Sequence, residues 1–288
     1  MTTITRRPQG FGPLLRTWRR RRRLSQLELS AESGVSTRHL SFLETGRANP
    51  SREMVLALAE QLRVPLRERN LLLTAAGFAP AYPQRPVDAP EMSAVDAAVR
   101  TVLRGHGPNP AIAVDRYWNI LMMNDAAGLF TAGVPAHLLG PPANAYRLGL
   151  HPDGLAGRIV NLVEFAHHLL TRLRHDVAVS ADPQLAALLA EVERYAPPRS
   201  SAPAPPERGA VVLPVRLRTP EGTLSLFSTI TTFGTPVDVT VAELAIETFF
   251  PADDVSARRL RARFGDGMAS RTAGGETAGT TGGSDAAV

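Results

Sequence analysis

Residues 25–53 read SQLELSAESGVSTRHLSFLETGRANPSRE, and their order of polar, small and apolar types predicts two short helices joined by a tight turn. Ser25 followed by Glu28 makes a capping box, so a helix starts at Gln26. Leu29 faces inward, and Ser30 is small enough for a second helix to approach closely. Gly34 supplies the positive φ that such a turn requires. Ser36 then caps a second helix in which Leu40 and Leu43 recur as a buried stripe, leaving Thr37, Arg38, Ser41 and Phe42 outward. Gly46 is placed to end that helix in the left-handed conformation.

Working outward, Ser51 and Glu53 open a further helix whose apolar positions are Met54, Val55, Leu58 and Leu62. Pro65 starts another, PLRERNLLLTAAG, which stops at Gly77 before the Pro-rich APAYPQRP. With a helix at about 12–23, these make a five-helix unit over residues 1–77. Residues 12–76 resemble the helix-turn-helix of the XRE (Cro/C1-type) family, on Gln26, Gly34, Val35, Leu40, Ser41, Leu43, Glu44, Gly46 and Pro50. Ser30 departs from the Ala usual there, but both are small.

The resemblance implies that the unit docks on double-stranded DNA, and the charge distribution agrees. All 32 residues of the Lys+Arg count are Arg; residues 1–80 hold 14 Arg and 6 Glu, a net +8, which leaves −3 of the total +5 for the rest. The basic footprint expected for nucleic acid is therefore confined to the first unit. Base readout is expected from Thr37, Arg38, His39, Ser41 and Phe42, with Arg38 the strongest because a guanidinium can bond guanine O6 and N7 together. His39 has a second reading, packing against the scaffold. Phosphate contact is expected from Arg19, Arg22 and Arg23, from Gln26 and Ser36 at the two helix starts, and from Arg47, Asn49 and Arg52 after the reading helix. A solvated basic face is the competing reading of the run Arg19–Arg23.

At 288 residues the chain is long enough for a second domain. The absence of cysteine excludes disulfides and thiolate metal sites, and no apolar run approaches the roughly 18 residues of a membrane span. A soluble cytoplasmic protein is expected, with the Ala-, Pro-, Gly- and Arg-rich composition of a GC-rich bacterial coding sequence. Residues 78–94 read as a linker, 95–264 as the second domain and 265–288 as a disordered tail too poor in apolar residues to order itself.

Within the second domain, AIAVDRYWNILMMNDAAGLF predicts strand, turn, strand and a short helix opened by Asn124. Two long helices are expected at about 153–175, entered through HPDG, and 183–195. Three strand-like runs follow: VVLPVRLR, TLSLFSTITTF and VTVAELAIETFF. The expectation is an α+β chain: an all-α five-helix domain, then a PAS-like five-stranded antiparallel sheet with helices on one side.

Residues 95–255 resemble the ligand-binding domain of MmyB-like regulators, through VDRYWNILMMN, HPDGLAGRIVN, VRLRTPEG and LSLFSTITTFGTPVDVTVAELAIETFFPAD. Leu162 departs from the Trp frequent in that family after the Asn. The resemblance implies a sensor of a small, fatty-acid-like apolar molecule. Ser225, Phe227, Thr229, Thr231 and Phe233 share one strand face, and a pocket wall is expected there, with Trp118, His151 and Asn161 as further lining. Each has a structural reading beside it: β-branched strand packing for the threonines, core for Trp118, and helix bracing for His151 and Asn161. No cofactor or metal is expected, since the histidines lack chelating spacing and no GxSxG, HExxH or phosphate-loop motif occurs. The expected protein is a homodimeric regulator. The alternative is a second domain that only dimerises or contacts another protein.

Overall fold

The computed structural model describes residues 10–180, 182–197 and 214–265. They fall into two compact units, Met1–Met92 with Phe233–Glu243, and Ser93–Thr232 with Leu244–Val288. The expected tail lies, apart from Gly265, outside the described residues, as does most of the loop PPRSSAPAPPERG.

The first unit contains α1 (Phe11–Arg21), α2 (Gln26–Ser33), α3 (Thr37–Thr45), α4 (Arg52–Gln61) and α5 (Leu66–Ala75). The local signals act as the sequence requires. Ser25 and Glu28 form the reciprocal capping box, Gly34 sits at φ 70° after α2, and Gly46 sits at φ 71° after α3. Ser36 and Ser51 cap α3 and α4 through their hydroxyl oxygens. Pro65 is the residue before α5 rather than within its first turn. Leu15, Leu29, Leu40, Leu43, Val55, Leu58 and Leu72 from all five helices close one core. Gly12 permits a close crossing of α1 and α3: a Cβ there would overlap the carbonyl oxygens of Leu43 and Glu44.

One buried ion pair ties three of these helices. Glu44, 7% exposed, receives Arg19 Nε at 2.6 Å, Arg19 Nη2 at 2.9 Å and Gln26 Nε2 at 2.8 Å. Burial pushes the Glu44 carboxyl up, but the bonds from Arg19 and Gln26 and the charge of Arg19 outweigh it and hold it below the ordinary range.

The second unit is built on a five-stranded sheet in the order β2-β1-β5-β4-β3, every pairing antiparallel. After α6 (Ser93–Gly105) come β1 (Ala111–Val114) and β2 (Ile120–Met123). The short helices α7 (Gly128–Thr131), α8 (Ala136–Leu139) and α9 (Ala145–Leu150) follow, then α10 (Leu162–Ser180) and α11 (Pro183–Val192). The described residues end on β3 (Val215–Thr219), β4 (Gly222–Thr232), α12 (Val239–Ala242), β5 (Ala245–Pro251) and α13 (Asp254–Phe264). Asn124 caps the turn after β2 as expected.

Three features differ from the sequence reading. The long helix expected from about 153 begins at Leu162, because residues 151–158 form turns: Gly154 N–H bonds to the His151 carbonyl at 2.8 Å and Leu155 N–H to the Leu148 carbonyl at 2.7 Å. The run VTVAELAIETFF is not one strand, because Asp238 accepts the Thr240 N–H and starts a helical turn, so β5 begins only at Ala245. Nor do helices lie on one side alone. Ile112 and Val114 join the core with α10 and α11, while the fully buried Ala111 and Ala113 face the other way, and α6 lies against β1.

Replacing Glu44 with Ala leaves the Arg19 guanidinium buried without its counter-ion and is expected to cost about 3 kcal/mol, read as a lowered urea midpoint. Because the native Glu44 pKa is depressed, its contribution is present above the ordinary carboxylate range and lost as pH falls through the native value. The stability difference between wild type and Glu44→Gln should therefore shrink on acidification.

Candidate nucleic-acid interface and ligand cavity

Thr37, Arg38, His39, Ser41 and Phe42 all belong to α3, whose opposite side carries the buried Leu40, Leu43 and Glu44. Arg38 is exposed and the other four are half-buried. The Arg38 guanidinium lies over the Phe42 ring at 5.4 Å, which narrows the orientations of its donor fork before any partner arrives. Arg47 and Asn49 are exposed just beyond α3, and Arg52 donates to the Ala79 carbonyl at 3.3 Å.

The arginine run divides by helix face. Arg19, expected on phosphate, is 8% exposed, and its guanidinium is taken up by Glu44 and by the Leu24 carbonyl at 2.7 Å. Arg22, also expected on phosphate, donates to the Leu62 and Arg63 carbonyls at 2.7 and 2.8 Å, closing the end of α4. Both do structural work because residues on successive helical turns sweep through every direction. Arg20 and Arg23 are exposed. Gln26 spends its amide N–H on Glu44, and Ser36 spends its oxygen on the α3 cap.

In the second unit a cavity of about 170 Å³ lies on the sheet face that carries Ile112, Leu226, Ser228, Glu247 and Phe249. Directly paired residues of antiparallel strands share a face. Ser228 pairs with Phe249 and Ile230 with Glu247, whereas Thr229 pairs with Thr248 and Thr231 with Ile246. Thr229 and Thr231 therefore lie on the face away from the cavity, where Thr229 and Thr248 share a hydroxyl hydrogen bond of 2.8 Å. Of the residues expected to line a pocket, Trp118 borders the cavity, Phe227 touches it while its ring stacks on Phe250 at 5.3 Å on the other sheet face, and Ser225, Thr229, Thr231, Phe233, His151 and Asn161 do not line it. Asn161 braces the β3 edge through the Pro214 carbonyl and the Arg216 N–H. His151 Nδ1 accepts the Asp153 N–H at 3.1 Å, and its ring packs on Tyr195 at 4.7 Å. His137, His151 and Asp153 bring donor atoms within 4.8 Å of one another, but His151 would have to surrender that bond to ligate a metal through Nδ1.

The cavity has an apolar body and one polar end. Trp118, held at φ 65° in the left-handed region, lies edge-on to Tyr146 at 5.2 Å with the Arg172 guanidinium over its ring at 4.1 Å. Such a backbone conformation is strained for an indole-bearing residue and persists only because its surroundings fix it. Tyr146 is 1% exposed, and its hydroxyl has no hydrogen-bond partner among the described residues. Arg172 reaches Glu247 only at 4.0 Å and donates no hydrogen bond among the described residues. Burial pushes the Glu247 carboxyl up, opposed by Ser228 and Arg172. It pushes Asp176 up and His168 down in the same way. Sequence reasoning missed Tyr146, Arg172 and Glu247 as cavity residues; the one available signal was an acid inside the apolar run AIETFF.

Residues 95–262 match the model of the MmyB-like transcription regulator ligand binding domain, and residues 15–69 match a helix-turn-helix model. The chain belongs to the MmyB-like transcription regulators. This regulator is 33% identical over 122 residues to the uncharacterized HTH-type transcriptional regulator RghRB of Bacillus subtilis (strain 168), a match covering 41% of this chain and 85% of that one. Among solved structures it is similar to an RNA-binding Light-Oxygen-Voltage receptor, at 14% identity and a TM-score of 0.23, covering 91% of the regulator and 63% of that chain. The regulator is thus a helix-turn-helix transcription factor with a ligand-binding-type domain, not an enzyme. Among the described residues no helix is long and apolar enough to cross a membrane.

Glu247 gives the cavity a pH signature. Its native pKa is raised, so between the ordinary carboxylate range and that raised value the unfolded chain ionises first and stability falls as pH rises. Glu247→Gln removes this loss and is expected to melt above wild type at neutral pH, with the two curves converging in acid.

Proposed function

We propose that this chain is a homodimeric, operator-specific DNA-binding regulator whose second unit takes a small apolar ligand with an acidic, fatty-acid-like head, and whose operator binding changes with that ligand. The cavity carries the reading. It holds about 170 Å³ between mainly apolar side chains, a concave apolar site with a few polar groups such as small-molecule pockets have. Among its lining residues, Tyr146 carries a buried hydroxyl with no hydrogen-bond partner among the described residues, and Arg172 carries a guanidinium that reaches Glu247 only at 4.0 Å. A guanidinium beside apolar walls matches a carboxylate head. A cavity of about 150 Å³ admits a benzene-sized molecule, so a short or medium chain fits the enclosed part and a longer one would extend through the mouth.

On the DNA side, α3 supplies base readout through Arg38, with Thr37, His39, Ser41 and Phe42 beside it. Arg23, Arg47, Asn49 and Arg52 hold phosphate, joined by Arg20 and by the second amide hydrogen of Gln26 and the hydroxyl hydrogen of Ser36, which their bonds to Glu44 and the α3 cap leave over, while Arg19 and Arg22 serve the scaffold. A two-fold dimer would read half-sites about 34 Å apart or a multiple of that. Its place of action is the bacterial cytoplasm, with the operator.

Two measurements test this reading. Arg38→Ala is expected to lose about 1–3 kcal/mol of discrimination at one base pair, whereas Arg20→Ala and Arg23→Ala each lower the salt slope of operator binding by about 1 with selectivity intact; unchanged selectivity in Arg38→Ala removes it as the reader. Mass spectrometry of the organic extract, followed by titration with decanoate and decanol, tests the ligand. Wild type is expected to prefer decanoate, and Arg172→Gln to lose that preference while still binding decanol.

A further inference from the structure

The β4–β5 connection is far longer than the sheet needs. Antiparallel neighbours are commonly joined by about 2–5 residues, yet twelve separate Thr232 from Ala245. Eleven of them, Phe233–Glu243, belong to the same compact unit as Met1–Met92. They are held there by directed polar contacts. Arg67, on α5, grips Glu243 with two bonds of 2.8 Å, and its third nitrogen donates to Gln84 at 2.9 Å. Asp238, 4% exposed, caps α12 and accepts from Arg85 at 2.9 Å. Thr240 donates its hydroxyl to the Arg85 carbonyl at 2.6 Å, and Val239 donates its N–H to the Pro83 carbonyl at 2.8 Å. Asn70 of α5 in turn holds the Ala81 and Tyr82 backbone.

The two strands that run out of this segment carry cavity residues. Ser228 lies five positions before Phe233, and Glu247 four positions after Glu243, about 14 Å of extended chain. We propose that Phe233–Glu243 is the coupling strap of the regulator: the Arg67–Glu243 and Arg85–Asp238 ion pairs make it part of the helix-turn-helix unit, so a shift of β4 and β5 on cavity occupancy is delivered to α5. This rests on the ligand reading above. The route into the DNA-reading scaffold is short, because α5 packs against α1 and α4, and Arg69 of α5 pairs with Glu60 at the end of α4. Pulling on α5 therefore acts on the helices that position α3.

The experiment uses the full chain with decanoate as probe, reading hydrogen exchange and operator affinity in wild type, Glu243→Gln and Arg67→Gln. Glu243→Gln is isosteric and Arg67→Gln only shortens the side chain, both at partly exposed positions, so the fold is retained. Decanoate is expected to protect β4 and β5 in all three proteins, and to change exchange in α5 and residues 80–86 only in wild type. The shift in operator affinity, about fivefold or more in wild type, should fall below about twofold in either variant. Protected strands with an unchanged α5 in wild type, or with an equal response in both variants, overturn the strap and leave the ligand reading standing. No protection of β4 and β5 at any decanoate concentration overturns both.

Discussion

Three helices of the first unit meet at the Glu44 carboxylate, and the orientation of α3, the helix proposed to read DNA, depends on that meeting. Arg19 comes from α1, Gln26 from the start of α2 and Glu44 itself from α3. Packing of leucines alone would allow α3 to slide or roll with small penalties, since apolar contacts have no preferred direction. A fork of two short N–H bonds into a buried carboxylate does not. Its net contribution against a well-packed apolar substitute is small, but loss of either partner is expensive, so it acts as a geometric constraint. The outward direction of Arg38 follows, because Leu40, Leu43 and Glu44 are fixed on the other side of the same short helix.

In the second unit the corresponding constraint is the two-residue alternation of β4 and β5. It divides their polar residues into a threonine pair on one face and Ser228 with Glu247 on the other, and only the second set meets the cavity. The environment there pushes Glu247 and Asp176 toward their protonated forms and His168 toward its neutral form. The Arg172 guanidinium lies over Trp118 at this end. On the proposed reading, that guanidinium suits an anionic head better than a cationic one, whose counter-charges would first have to be ionised in a buried site.

How much of this was legible in the sequence depends on the range of the interaction. Caps and turn glycines act within four residues, and Ser25, Glu28, Gly34, Ser36 and Gly46 were read correctly for that reason. The strand count was legible from alternation and β-branched content. Which face of β4 looks inward was not, because hydroxyl-rich and apolar faces both suit a strand and the choice is made by α10 packing from far along the chain. Arg19 and Arg22 read as phosphate contacts within a basic run; their partners, Glu44 and the Leu62 and Arg63 carbonyls, lie 25, 40 and 41 residues away. VTVAEL reads as strand on propensity alone, and the Asp238 cap overrides it. Tyr146, Arg172 and Glu247 carry no shared sequence motif, since only the fold brings them to one cavity.

The strap can be judged against the free energy that regulation requires. Coupling between two sites is typically about 1–3 kcal/mol, and a ligand can shift an operator equilibrium only by its differential affinity for two states. A half-buried bidentate pair such as Arg67–Glu243, with side-chain exposures of 29% and 20%, sits between a screened surface pair worth under about 1 kcal/mol and a fully buried one. Making or releasing it, with the more deeply set Asp238 contact, spans the required range without unfolding either unit. A covalent linker alone would not suffice, since an extended segment transmits only a limit on distance. An 11-residue segment anchored at Asp238, Val239, Thr240 and Glu243 transmits position, and two strands lead from it directly to Ser228 and Glu247.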